Sequence, residues 1–267
     1  MPNVPKFGTF PLALPASMSI PLAHLRARLT QASGRSLGDS FAALITGSGQ
    51  ISSLLDCLSS TSEPLLHSPD SSQPPLRHED LRSFISTFSL PHSNGKRLGP
   101  NDRVMLVLPT GPENAVALLA LASYHTCAPV NASCTASELQ DDARRLNAKA
   151  VLTTKDVEHR LDLRHLYKDL GCEIIYVKPR SSGPVGLFDL SLIDDLPFSS
   201  SCPSQLQGLA DQALVLHTSG TSGTKKVVPH RLISLIVSTL CVVHSWDLRP
   251  TDVNSKWRSA RIFLLFD

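Results

Sequence analysis

The sequence predicts an α/β fold: a parallel β-sheet with helices packed on both faces. Three observations carry that expectation. Short continuous apolar runs such as Val104-Met105-Leu106-Val107-Leu108 read as strands buried on both sides. Stretches of helical length separate these runs, so strand and helix alternate at the spacing of βαβ units. The 267 residues, 42% hydrophobic and 18% charged with near-neutral mean hydropathy, supply the core that such units need.

Residues 1–48 read as a poorly ordered leader, because Pro2, Pro5, Pro11, Pro15 and Pro21 interrupt any amphipathic helix before Pro21. Residues 1–38 contain no Asp or Glu but carry Lys6, Arg26, Arg28 and Arg35, a bias shared with mitochondrial presequences. A cytoplasmic location is expected, with a mitochondrial one as the alternative. Residues 59–75 are rich in Ser and Pro and suit a surface loop.

The regular pattern starts with a helix over residues 76–88, followed by a turn at Pro91-His92-Ser93-Asn94-Gly95. A strand over 104–108 ends at Pro109, and an Ala/Leu-rich helix covers 113–125. Ala128-Pro129-Val130 reads as a short extended segment. Thr135-Ala136-Ser137-Glu138 has the spacing of a capping box and starts a helix that runs to about Leu146. A strand at 150–153, a helix at 163–170 and a strand at 173–177 follow. Residues 181–207, again Ser/Pro-rich, read as a long connector. Ala213-Leu214-Val215-Leu216 is a further buried strand. The apolar run 232–243 falls short of the roughly 18–20 residues of a membrane span and reads as a buried helix.

Composition excludes several functions. A formal net charge of +2, with no clustered basic face and no interleaved aromatics, argues against nucleic-acid binding. Cys57, Cys127, Cys134, Cys172, Cys202 and Cys241 are scattered without metal-ligand spacing, and read as free, mostly buried thiols in a reducing compartment. The acidic pairs Asp141-Asp142 and Asp194-Asp195 read as solvated faces, and Asn131-Ala132-Ser133 as a chance match to a glycosylation sequon. No Ser-His-Asp constellation assembles at recognisable spacing.

The chemistry is concentrated in His217-Thr218-Ser219-Gly220-Thr221-Ser222-Gly223-Thr224-Lys225-Lys226. Gly220 and Gly223 allow backbone angles closed to other residues, so successive N–H groups can converge on one point. Ser219, Thr221, Ser222 and Thr224 add hydroxyls, and Lys225 and Lys226 add positive charge. A helix expected to begin near Pro229 would offer its amino end to the same anion. These features favour phosphate oxygens over a plain Gly/Ser linker. The spacing is neither that of a Walker A loop nor that of a nucleophile elbow. His217 and His230 flank the loop and read as supporting or surface residues, not as catalytic bases.

The segment resembles the signature loop of the adenylate-forming superfamily, which comprises acyl-CoA synthetases, nonribosomal-peptide adenylation domains and luciferases. Thr218 to Gly223 fits the family pattern Thr-Ser-Gly-Thr-Thr/Ser-Gly at each position, and Lys226 falls on its lysine. Lys225 stands where Pro is usual and Val227 where Gly is usual, and this variant resembles a fungal synthetase-like branch. Upstream, Gly99-Pro100-Asn101-Asp102-Arg103-Val104 and the block from Ala117 to Leu139 are similar to further family segments, as is Pro75-Leu76-Arg77-His78-Glu79-Asp80-Leu81.

The resemblance implies the first part of the large N-terminal domain of such an enzyme. It implies that Thr218, Ser219, Gly220, Thr221, Ser222, Gly223, Thr224 and Lys226 hold ATP through its phosphates. It also implies Mg2+ beside the ATP, and a reaction in which a carboxylate attacks the α-phosphate to give an acyl-adenylate. The acyl group then passes to the thiol of CoA or of a phosphopantetheine carrier. No residue of this chain is assigned as catalytic and none as a metal ligand.

The family's aromatic-Gly-x-Thr-Glu and Thr-Gly-Asp segments do not occur in the sequence. The chain is therefore expected to divide into the leader at 1–48, a truncated AMP-binding domain at 49–253 and a divergent tail at 254–267. It is expected to be catalytically incomplete. The alternatives are a non-catalytic nucleotide-binding or interaction module, or a truncated gene product.

Overall fold

The computed structural model describes residues 20–21, 50–67, 72–93, 98–193, 205–218 and 226–246. The 254–267 tail, the pair Asp194-Asp195 and all of the 1–48 leader except residues 20–21 lie outside the described residues. Two short antiparallel pairs precede the main sheet. One joins β1 (Ile20–Pro21) to β2 (Gln50–Ile51), and the other joins β3 (Pro64–Leu66) to β4 (Leu76–Arg77). A 3₁₀ turn at Leu54–Cys57 and helix α1 (His78–Ser86) lie between and after them. Arg82 on α1 donates to the Leu55 and Leu58 carbonyls and so ties the turn to the helix.

The remaining elements build one seven-stranded sheet. In chain order these are β5 (Arg103–Val107), α2 (Pro112–Tyr124), β6 (Thr126–Pro129), α3 (Ala136–Leu146), β7 (Ala150–Thr153), α4 (Lys155–Leu161), α5 (Arg164–Leu170), β8 (Glu173–Pro179), β9 (Phe188–Leu192), β10 (Gln212–Thr218), β11 (Lys226–Arg231) and α6 (Leu232–Ser245). The spatial order is β11-β10-β6-β5-β7-β8-β9. The five inner strands are parallel, as the sequence predicts. Both edges are antiparallel, β9 against β8 and β11 against β10, so the sheet is mixed.

Side-chain alternation along the strands divides the core in two. Val104 and Leu106 of β5, Ala150 and Leu152 of β7, and Ile175 and Val177 of β8 join one cluster with α1, α2 and α6. Met105 and Val107, Val151, and Ile174 and Tyr176 join the other with α3, α4 and α5. Helix α2 is buried all round from Val116 to Tyr124, because α1 and the 3₁₀ turn cover the side facing away from the sheet. Its Tyr124 hydroxyl donates to the Ile85 carbonyl at 2.9 Å, which satisfies a polar group inside that packing.

Local rules place the helix ends. Thr135 Oγ1 accepts from the Glu138 amide at 3.3 Å, and Glu138 Oε2 accepts from the Thr135 amide at 2.9 Å. This is the capping box expected from sequence, worth about 1 kcal/mol. Asn147, at φ 49°, ends the helix in the left-handed region.

Several elements depart from the sequence reading. β3 lies in the expected 59–75 loop, β4 within the expected 76–88 helix and β11 where a helix start is expected. α4 and β9 have no counterpart in that reading. Helix α4 has seven residues and too few apolar positions to show a period. Strand β9 lies inside the expected connector, and its Phe-Asp-Leu-Ser-Leu alternation belongs to an edge strand. Among the described residues, no helix is long and apolar enough to cross a membrane.

Gly186 sits at φ 86°, and a Cβ there would lie 3.1 Å from Pro112 Cβ and 3.2 Å from Val116 Cγ2 at the start of α2. Gly186→Ala is expected to cost about 1–3 kcal/mol, read as a melting temperature lower by several degrees. An unchanged melting temperature would contradict this packing.

Burial pushes the Cys57 and Cys172 thiols up to about 12, helped by the neighbouring Asp56 and Glu173 carboxylates, and pushes Cys127 higher still. The folded chain therefore holds these protons more tightly than the unfolded chain, whose thiols titrate near 9.0. Their contribution to stability is complete below pH 9 and is lost as pH climbs towards 12. At pH 8, mass spectrometry after treatment with a thiol reagent should find these three cysteines unmodified until denaturant is added.

Candidate functional site

Of the predicted loop, Ser219, Gly220, Thr221, Ser222, Gly223, Thr224 and Lys225 lie outside the described residues. The backbone that enters and leaves it is described. Strands β10 and β11 pair antiparallel, with Thr218 opposite Lys226, His217 opposite Val227 and Val215 opposite Pro229. The loop is thus the connection of a β-hairpin, and Lys226 stands exposed at its base as the first residue of β11.

This corrects the expectation of a helix starting near Pro229. Pro229 lies within β11, and α6 starts at Leu232, at the end of the hairpin remote from the loop. There the Leu232 amide donates to the Asp211 carbonyl and the Ile233 amide to the Leu209 carbonyl, each at 3.0 Å. The intervening strand separates the helix start from the loop by roughly 17–20 Å at about 3.3 Å per residue. The amino end of α6 therefore cannot serve an anion in the loop, since its field fades beyond the first turn. A proline suits the first turn of a helix, but it also suits an edge strand, which is what β11 is.

The hairpin is fixed to the sheet at its base. Leu214 pairs with Cys127 of β6, and the Thr126 hydroxyl donates to the Gln212 carbonyl at 2.6 Å. Gln207 Nε2 bridges the Gln212 carbonyl at 3.1 Å and the Pro100 carbonyl at 2.5 Å. Because β10 runs parallel to its inner neighbours, Thr218 emerges at the carboxyl edge of the sheet. Open α/β sheets bind ligands at that edge.

Along β10, Leu214 faces the core shared with α2 and α6, whereas Val215 faces the core shared with α3. His217 shares the Val215 face, and its Nδ1 lies 3.8 Å from Oδ2 of Asp142 on α3. Asp142 is 2% exposed and His217 12% exposed. The expectation of a solvated Asp142 is therefore corrected; its neighbour Asp141 is exposed and faces Arg144 at 3.7 Å. The buried positions of α3 are Leu139, Asp142, Ala143 and Leu146, and that helical spacing was the available signal for Asp142. His230 sits opposite Leu214, four residues along the strand from the loop end, so it flanks the loop in sequence and not in space.

Among the described residues, no group of three His, Cys, Asp or Glu side chains is placed to hold a metal ion. No magnesium ligand is therefore assigned within them.

Comparison with known proteins agrees with this architecture. Apo MatB from Rhodopseudomonas palustris superposes with a TM-score of 0.57 at 21% identity, covering 74% of this chain and 38% of MatB. ATP-bound MatB from the same organism gives 0.53 at 19% identity, over 75% of this chain and 39% of that one. Acyl-CoA synthetase from Brucella canis also gives 0.53, at 22% identity, over 79% and 39%. At these identities the likeness establishes the fold. In sequence, the oxalate–CoA ligase of Saccharomyces cerevisiae is 36% identical over 63 residues, which are 22% of this chain and 12% of that ligase. The chain thus spans well under half the length of the relatives it matches. The AMP-binding enzyme family matches residues 95–257, more than half of the chain, and the chain belongs to that family.

Proposed function

We propose that this chain supplies the triphosphate-gripping part of an adenylate-forming acid–thiol ligase. One observation carries the reading: a Gly/Ser/Thr-rich connection leaves the carboxyl edge of the sheet between Thr218 and the exposed Lys226. In this reading, backbone amides and hydroxyls of Thr218, Ser219, Gly220, Thr221, Ser222, Gly223 and Thr224 meet the β- and γ-phosphate oxygens. The Lys226 ammonium neutralises their charge.

In the whole protein, a carboxylate oxygen attacks the α-phosphorus of ATP. The bond to the bridging oxygen breaks, and pyrophosphate leaves with that electron pair. A thiol then displaces AMP from the acyl-adenylate. The relative named as an oxalate–CoA ligase favours CoA over a carrier thiol as the acceptor. Gripping the β- and γ-phosphates steadies the leaving group but does not position the carboxylate, so this chain alone is proposed to bind ATP without completing adenylation.

Titration of the full chain with ATP, followed by thermal shift, tests the reading. ATP should raise the melting temperature, and Lys226→Ala should weaken its apparent affinity about tenfold. Absence of an ATP-dependent shift in the wild type would overturn the assignment. Carboxylate-dependent pyrophosphate exchange by the chain alone would overturn the proposed incompleteness.

A further inference from the structure

Asp142 occupies a position where the fold calls for an apolar side chain. It shares the buried stripe of α3 with Leu139, Ala143 and Leu146, and is 2% exposed. A buried carboxylate is costly unless charge or hydrogen bonds compensate it, and local rules are broken in this way chiefly where function requires it. Asp142 lies 3.8 Å from His217, an ion-pair distance. His217 immediately precedes Thr218, where the phosphate loop begins.

The backbone explains why a contact is useful there. β10 is bridged to β6 at Leu214 and Cys127, and β6 stops two residues later at Pro129, which has no N–H to extend the ladder. The loop end of the hairpin therefore projects past β6. Three described features steady it: the pairing of His217 and Thr218 with Val227 and Lys226, the packing of Val227 against the α3-side core, and the Asp142–His217 contact.

Resting on the phosphate-loop reading above, we propose that Asp142 and His217 are positioning residues for the nucleotide's phosphates. The Asp142 carboxylate orients the His217 imidazole, and the pair pins the mouth of the loop to α3 without touching ATP. Fixing the mouth lowers the ordering cost that phosphate binding must otherwise meet.

The test uses the full chain, with ATP and inorganic tripolyphosphate as probes, so that adenine contacts drop out of the second titration. Asp142→Asn and His217→Gln should each weaken both probes about tenfold, and the double variant should be no worse than the weaker single. The paired variant Asp142→Leu/His217→Leu separates positioning from stability, because replacing both partners of a buried pair by apolar residues is often neutral or stabilising. The proposal expects this variant to bind both probes about tenfold more weakly despite that stability. A folded Asp142→Leu/His217→Leu chain with wild-type affinity for both probes would overturn the positioning role and leave the phosphate-loop reading intact. A wild-type chain that binds neither probe would overturn both.

Discussion

The pairing of β10 with β11 is the constraint on which the candidate site depends. β10 belongs to two ladders at once: it is the outermost parallel strand of the inner sheet, and it is the first arm of an antiparallel hairpin. The parallel ladder sends its end to the carboxyl edge. The antiparallel ladder returns the chain to the same edge and sets Lys226 opposite Thr218. Register cannot drift, because Leu214 and Val215 are committed to different cores. A slip of one residue would exchange their faces and carry His217 away from α3. Core packing therefore fixes where the loop opens.

The two-sided core has the same origin in the inner strands. Each of β5, β7 and β8 sends alternate residues to opposite clusters, and their near-complete burial is what produces continuous apolar runs in the sequence. Helix α2 lies between β5 and β6 in the chain and packs on one face; α3 lies between β6 and β7 and packs on the other. Since β6 and β7 flank β5, the chain reverses direction across the sheet at β5. At such a reversal the connections leave opposite faces and open a crevice at the carboxyl edge, the edge from which the Thr218 loop also emerges.

These features set what could be read from residues alone. Runs buried on both faces, such as residues 104–108 and 150–153, and the Thr135 capping box carry strong local signals, and each marks the element found. Edge elements carry weaker ones. β9 buries Phe188 and Leu192 but leaves Asp189 exposed, in five residues embedded in Ser and Pro. β11 contains a proline that reads equally well as a helix start. Tertiary pairing with β10 decides in favour of a strand, and no local pattern contains that information. The reading of the loop as an anion site rests on its Gly, Ser, Thr and Lys alone, since residues 219–225 lie outside the described residues. The burial of Asp142 was hidden by its neighbour Asp141, since two adjacent acids suggest solvent, whereas the helical period assigns them to different faces.

Replacing the expected helix start with a hairpin changes the physics required of the loop. A helix amino end would have brought aligned peptide dipoles and unpaired N–H groups to the phosphate with no need for further ordering. A hairpin connection has no such built-in field, so under the proposed reading any attraction for anions would have to come from amides made to converge, from hydroxyls and from lysine charge. Convergence is geometric. Gly220 and Gly223 permit the necessary backbone angles but do not select them. Selection has to come from the ends, where Thr218 and Lys226 are held in register and the strand entering the loop is backed by α3. A phosphate site of the proposed kind would depend on its supports more than a helix-based one does, and for that reason the buried aspartate facing His217 is a more informative feature than another surface lysine.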